Sequence, residues 1–223
     1  DAGFRTAAVM PQITLDWPES ERIGFETVLA ARDLGYAGRP FNWVTMPDQF
    51  TFTALDRFLR DGQDERPLFA QLALGSSHAP WVPVPELVEW EDIDDGRIFD
   101  EMALSGDPPD VVWRDRGRVR DQYRMAVDYA LRVVFDYDAR HAVYPPLIFV
   151  VGDHQAAGFV ALDDRSDVPV HVIGPEALVT AAAGWGWIEG LIPGEGVEVR
   201  SMADMRDMIL DAYSRPIGPG GDS

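Results

Sequence analysis

The 223-residue sequence contains no cysteine and no lysine. The first absence excludes disulfides, thiolate metal sites and a cysteine nucleophile, and leaves the redox compartment open. The second makes all 19 basic residues arginine, set against 38 acidic residues for a formal charge of −19. Such acidity excludes the basic footprint of a nucleic-acid binder and argues against adhesion to an anionic membrane surface. No apolar run approaches the roughly 20 residues that span a bilayer. A glycine-rich phosphate loop and a G-x-S-x-G elbow are also missing, so nucleotide binding and serine-hydrolase chemistry have no support.

What is present suits one sizeable core. Hydrophobic residues make up 46% and charged residues 26%, ordinary values for a soluble globular chain. Asp1-Ala2-Gly3 reads as the end of a helix, so earlier strands and helices are expected upstream. Residues 1–215 are expected to form the C-terminal portion of a single α/β domain, and the Gly/Pro-rich residues 216–223 a flexible tail.

Apolar runs and turn residues place strands at 4–10, 68–74, 147–151 and 168–173. Helical spacing and end signals predict helices at 25–33 (stopped by Gly35), 47–60 (proline in its first turn, Gly62 beyond), 116–137, 176–183 and 202–213. Along the longest helix, Val119, Tyr123, Val127, Ala130 and Val134 form an apolar stripe. Trp17-Pro18-Glu19-Ser20 opens a further turn, with Ser20 or Asp16 as cap. Strand–helix alternation predicts an α/β fold with a mainly parallel sheet flanked by helices. The proline- and acid-rich segment 79–113 is too long for a plain connector and is expected to cover a site or to be disordered.

The chemistry concentrates at two strand ends. Pro145-Pro146-Leu147-Ile148-Phe149-Val150-Val151 reads as a strand buried on both faces that delivers Gly152, Asp153 and His154 beyond its C-terminal end, where α/β sheets collect ligands. A carboxylate beside an imidazole offers two metal ligands, and Gly152 would let the chain turn so that both converge. His78 follows the strand at 68–74 in Ser76-Ser77-His78-Ala79-Pro80-Trp81. If the two strands are parallel neighbours, His78 shares a rim with Asp153 and His154. It could ligate a metal, bind an anionic oxygen or act as general acid. Trp81 would wall the pocket or pack as a rigid aromatic. His171 reads as a core histidine, and His141 as a cation at a helix C-terminus. Arg114, Arg116, Arg118, Arg120 and Arg124 read as surface ion pairs, with sulfate or phosphate binding as the other option. No H-x-x-x-H or H-x-H pair supplies the remaining metal ligands, so these are expected upstream.

Four segments, in order, resemble the sulfatase and alkaline phosphatase superfamily. Gly3-Phe4-Arg5-Thr6 resembles its GY-x-T step, and Leu68–Leu74 running into His78-Ala79-Pro80 its strand and H-x-P loop. Tyr123-Arg124-Met125-Ala126-Val127-Asp128-Tyr129 resembles its Y-x-x-x-V-x-Y helix, and Gly152-Asp153-His154 its (S/G)DH signature, with Gln155 where glycine is usual. The resemblance is strongest to the membrane-anchored branch that includes lipoteichoic acid synthases and phosphoethanolamine transferases. It implies an alkaline-phosphatase-like fold, truncated on its N-terminal side, and a metal-dependent hydrolase or transferase acting on phosphate or sulfate esters. Asp153 and His154 would bind zinc or manganese (magnesium or calcium as further options), and His78 the substrate anion or a second metal. The partner would be a small-molecule, lipid or glycan ester, and the location extracytoplasmic, with membrane attachment through upstream segments. The family's nucleophile, a threonine, serine or formylglycine, matches nothing here, so this chain alone is expected to be inactive. The alternative from another class is a non-catalytic module of the same fold that binds an anionic glycan or lipid headgroup.

Overall fold

A computed structural model describes residues 3–15, 17–60, 64–194 and 196–214. The expected helix end at the first residues, the Asp16 cap, the Gly62 stop and the tail at 216–223 fall wholly or partly outside the described residues. The chain divides into two compact units, Asp1–Asp136 and Tyr137–Ser223.

The first unit is built on a three-stranded parallel sheet. β1 (Arg5–Met10) is central, flanked by β2 (Thr27–Ala30) and β3 (Leu68–Leu72), with Ala7 opposite both Thr27 and Ala70. Between β1 and β2 lies α1 (Glu19–Ile23), where Ser20 is no cap: its hydroxyl donates back to the Trp17 carbonyl at 2.6 Å. β2 corrects the sequence expectation of a helix at 25–33. Only a 3-10 turn at Ala31–Asp33 is helical there, because pairing with β1 commits Thr27 to Ala30 to the sheet.

α2 (Asp48–Leu55), continued by a π turn at Asp56–Arg60, is sunk into this unit, with Phe50 and Ala54 completely buried. The segment at 79–113 is neither disordered nor a detached cover. It folds as 3-10 turns at Trp90–Asp92 and Arg97–Phe99, then α3 (Asp100–Ala103) and α4 (Pro109–Val112), and it contributes Ile93, Phe99 and Val112 to the core. The buried Gln49 amide clasps it on both sides. Nε2 donates to the Val88 carbonyl at 2.7 Å, and Oε1 accepts from the Val88 N–H at 3.1 Å. Those two bonds satisfy a polar group that burial would otherwise penalise.

α5 (Arg116–Arg140) is the expected long helix, and the division between the units falls within it. Its buried residues include Val119, Ala126, Tyr129, Val133 and Val134, so the seam lies beside the anticipated stripe, with Tyr129 taking the place of Val127 and Ala130.

In the second unit β4 (Ile148–Val151) pairs antiparallel with β5 (Val170–Ile173), Phe149 facing Val172 and Val150 facing His171. This corrects two expectations. β4 belongs to a two-stranded ribbon rather than to the sheet of β3, and it is half-buried with Val151 exposed, not covered on both faces. A Val/Ile-rich run suits either setting, since periodicity reports burial but not the number or direction of neighbours. After β4 come α6 (Gly158–Ala161), α7 (Glu176–Ala181) and α8 (Met202–Tyr213). The core gathers Ala182, Trp185 and Met205 with Phe149, Val172 and Tyr213, and the Tyr213 hydroxyl donates to the Leu178 carbonyl at 3.0 Å.

Candidate functional site

The two strand ends are built separately. Among the described residues β3 and β4 are not sheet neighbours, so the shared rim inferred for His78, Asp153 and His154 from two parallel strands has no basis in the strand order. His78 belongs to the first unit, and Asp153 and His154 to the second.

His78 sits on a loop held at many points. Its own N–H donates to the Gly75 carbonyl at 2.9 Å, and its Nδ1–H to the Ala79 carbonyl at 2.6 Å. With Nδ1 committed as donor, Nε2 keeps its lone pair for a proton, a metal or a substrate hydroxyl. The ring is exposed beside a cavity of about 10 Å³, room for one water, lined by Phe41, Val44, Ser76, Trp81 and Val82. Trp81 occupies the left-handed region at φ 60°, an uncommon place for a bulky residue. Its indole N–H donates to the Ser77 carbonyl at 2.8 Å and its ring stacks on Trp113 at 5.6 Å. The Trp113 indole in turn donates to the Pro80 carbonyl at 3.1 Å. Trp81 therefore packs and braces the loop as well as lining the cavity.

Below that loop lies a residue to which the sequence reading gave no role beyond the helix it starts. Asp48, at the start of α2, is completely buried. Its Oδ1 accepts the N–H groups of Gly75 at 2.8 Å and Ser76 at 2.9 Å, while its own N–H donates to Ser76 Oγ at 2.9 Å. Oδ2 is buried without a partner. Burial pushes this carboxyl above its ordinary range, and the hydrogen bonds from Ser76 and Gly75 only partly hold it down. An aspartate just after proline looks like any helix start, and nothing in the local pattern reports its burial.

In the second unit, Asp153 and His154 begin the long connection from β4 to β5, both strongly exposed. Asp153 Oδ1 accepts the His154 N–H at 2.9 Å, and Oδ2 lies 3.6 Å from His154 Nε2. The His154 Nδ1–H donates to the Gln155 carbonyl at 2.8 Å, so Nε2 is the free ring nitrogen and the one turned toward the carboxylate. The couple thus converges as anticipated, although Gly152 does so without a left-handed φ. Space is tight there: a Cβ would meet the Val168 side chain at 3.2 Å, where the Gly152 N–H donates to Pro169 O at 3.1 Å. The Gln155 side-chain amide donates to the Asp167 carbonyl and ties the connection to itself.

Carboxylate oxygen and imidazole nitrogen are suitable donors for a divalent ion. No group of three or more such side chains assembles among the described residues. The other two histidines are held within their own elements. His171 lies half-buried in β5, where burial lowers its pKa. The His141 Nδ1–H donates to the Tyr137 carbonyl at 2.9 Å, serving the C-terminal turn of α5. In the arginine cluster, Arg114 pairs with Asp110 at 3.3 Å and Arg118 with Asp107 at 2.7 Å. No helix among the described residues is long and apolar enough to cross a membrane. Compared with family models, curated proteins and solved structures, the chain matches none.

Proposed function

We propose that this chain contributes metal-binding and anion-binding residues to a metal-dependent hydrolase or transferase acting on phosphate or sulfate esters, with an alkaline-phosphatase-like fold and an extracytoplasmic location. The observation that carries this is the Asp153–His154 couple. It pairs a carboxylate with an imidazole whose Nδ1 is tied to a backbone carbonyl, the arrangement that fixes a histidine to ligate through Nε2. The ordered resemblance of four segments to the sulfatase and alkaline phosphatase superfamily supports the same assignment.

Asp153 and His154 would hold zinc or manganese, with at least one further donor needed to complete a catalytic coordination shell. Such an ion, when bound, activates a nucleophile and neutralises charge on the ester's equatorial oxygens. His78, in the other unit, would act on its own through Nε2, as imidazolium toward an anionic oxygen or as a proton donor. No residue of this chain is assigned as nucleophile, so the chain by itself turns over no ester.

The test is titration of the full 223-residue chain with Zn²⁺ and with Mn²⁺, followed by calorimetry and by the ring resonances of His154. Wild type binds one of these ions and the His154 ring responds. Asp153→Ala and His154→Ala each weaken binding about tenfold or more. Equal binding by wild type and both variants overturns the assignment. Inorganic phosphate that shifts the His78 ring while neither ion binds would favour a non-catalytic anion-binding module instead.

A further inference from the structure

We infer that Asp48 is the residue that positions His78, acting through the backbone of Gly75. The connection is two hydrogen bonds long. Asp48 Oδ1 accepts the Gly75 N–H at 2.8 Å, and the Gly75 carbonyl accepts the His78 N–H at 2.9 Å. Each end of Gly75 is therefore committed, one to a buried side chain and the other to the residue that presents the imidazole.

The same carboxylate oxygen also takes the Ser76 N–H, and Ser76 Oγ accepts the Asp48 N–H. That reciprocal pair caps the start of α2 and the end of the β3 loop at once, so the helix and the loop cannot shift independently. The Gln12 side chain lies against Gly75 from its other side: a Cβ there would lie 2.1 Å from Gln12 Nε2 and would require that amide to move.

A completely buried carboxylate is a costly way to hold a loop, and apolar replacements of buried charges often match or exceed their stability. What an apolar side chain cannot do is accept two adjacent backbone N–H groups and fix their direction. Positional control of the loop is the property that only the acceptor oxygen supplies. The loop needs it, because Trp81 three residues beyond His78 is held at a left-handed φ of 60° that must be over-determined by its surroundings.

The role of His78 toward an anion rests on the function proposed above, whereas its placement by Asp48 does not. The experiment therefore reads the two separately. Amide hydrogen exchange and histidine ring spectra are recorded for the full chain as wild type, Asp48→Asn and Asp48→Ala. In wild type, the Gly75 and Ser76 amides are protected although they lie outside any strand or helix. Asp48→Asn keeps an acceptor oxygen, so it retains that protection and the wild-type His78 ring shift. Asp48→Ala raises exchange at Gly75 and Ser76 about tenfold or more and moves the His78 resonance, while Val9 in β1 stays protected.

Unprotected Gly75 and Ser76 amides in wild type overturn the inference, whether or not the alanine variant folds. So does an alanine variant with unchanged exchange, or an asparagine variant that behaves like alanine while β1 remains intact. Addition of inorganic phosphate then tests the other claim. A wild-type His78 ring indifferent to phosphate removes the anion role and leaves its placement by Asp48 standing.

Discussion

Asp48 and Asp163 carry the same side chain in opposite surroundings, and their responses to pH are opposite in sign. Asp163 is held by Arg165 through side-chain and backbone hydrogen bonds, which lower its pKa from 3.8 to about 2. Its contribution to stability is complete above the ordinary carboxylate range and is lost as pH falls from about 4 toward 2. Replacing Arg165→Ala raises the Asp163 titration from about 2 toward its ordinary value but leaves it lowered, because the backbone N–H of residue 165 still donates to Oδ1 at 3.0 Å, and carboxyl NMR measures the shift directly. Asp48 is raised instead, chiefly by burial, so the folded state binds its proton more tightly than the unfolded one. Its contribution favours folding at low pH and is lost as pH rises through the carboxyl's folded value. Tyr129, whose hydroxyl is pushed upward by burial and then by Asp48, stays neutral throughout that range. Asp48→Asn removes the titration, so the stability of the variant relative to wild type increases between pH 4 and pH 7. Denaturant unfolding at a series of pH values reads the difference, and a constant or falling difference contradicts the assignment.

Among the elements, α8 owes its start to Ser201, whose Oγ accepts the Ala203 N–H at 3.2 Å. Ser201→Ala costs about 1 kcal/mol, measured by urea unfolding of the full chain. Gly96 marks a tighter constraint between elements. Its φ of 89° is a glycine conformation, and a Cβ would lie 2.3 Å from the Tyr36 ring, which packs edge-on against Phe50 of α2 at 4.8 Å. Gly96→Ala therefore costs about 1–3 kcal/mol, more than the Ser201 change, because strain and a clash with an aromatic ring coincide. Helices with clear local periodicity were legible in the sequence, and α8 has the expected bounds, 202–213. β2 was not, because Val28-Leu29-Ala30-Ala31 followed by Gly35 fits a helix equally well. Only the non-local register of Ala7 with Thr27 and Met10 with Ala30 makes it a strand. The candidate site divides the same way. Turn and strand signals located His78, Asp153 and His154 just past strand ends, while the Asp48 hydrogen bonds, 27 and 28 residues distant in sequence, left no local trace.

At the scale of the whole molecule, strand–helix alternation correctly announced a mixed α/β chain, but pairing is set by contacts that periodicity does not encode. β3 thus joins β1, and β4 turns to β5. Charge is the other property that belongs to the whole chain, and two effects oppose each other. Local ion pairs such as Arg66 with Glu26 at 2.9 Å and Arg66 with Asp64 at 2.8 Å favour the folded state and weaken as salt screens them. Against them stands a net charge of −19, which repels itself across the compact state and is relieved by the same screening. Exposed pairs are individually worth little, whereas the surplus of acids acts over the whole surface once the Debye length reaches about 30 Å near 0.01 M salt. Raising NaCl from 0.01 M to 0.15 M, where that length falls to about 8 Å, therefore increases Tm. The gain is about 2–4 °C if screening is worth roughly 1 kcal/mol. Calorimetry at pH 7 without divalent ions makes the measurement, and a Tm that falls with salt would show that the paired arginines outweigh the surplus of acids.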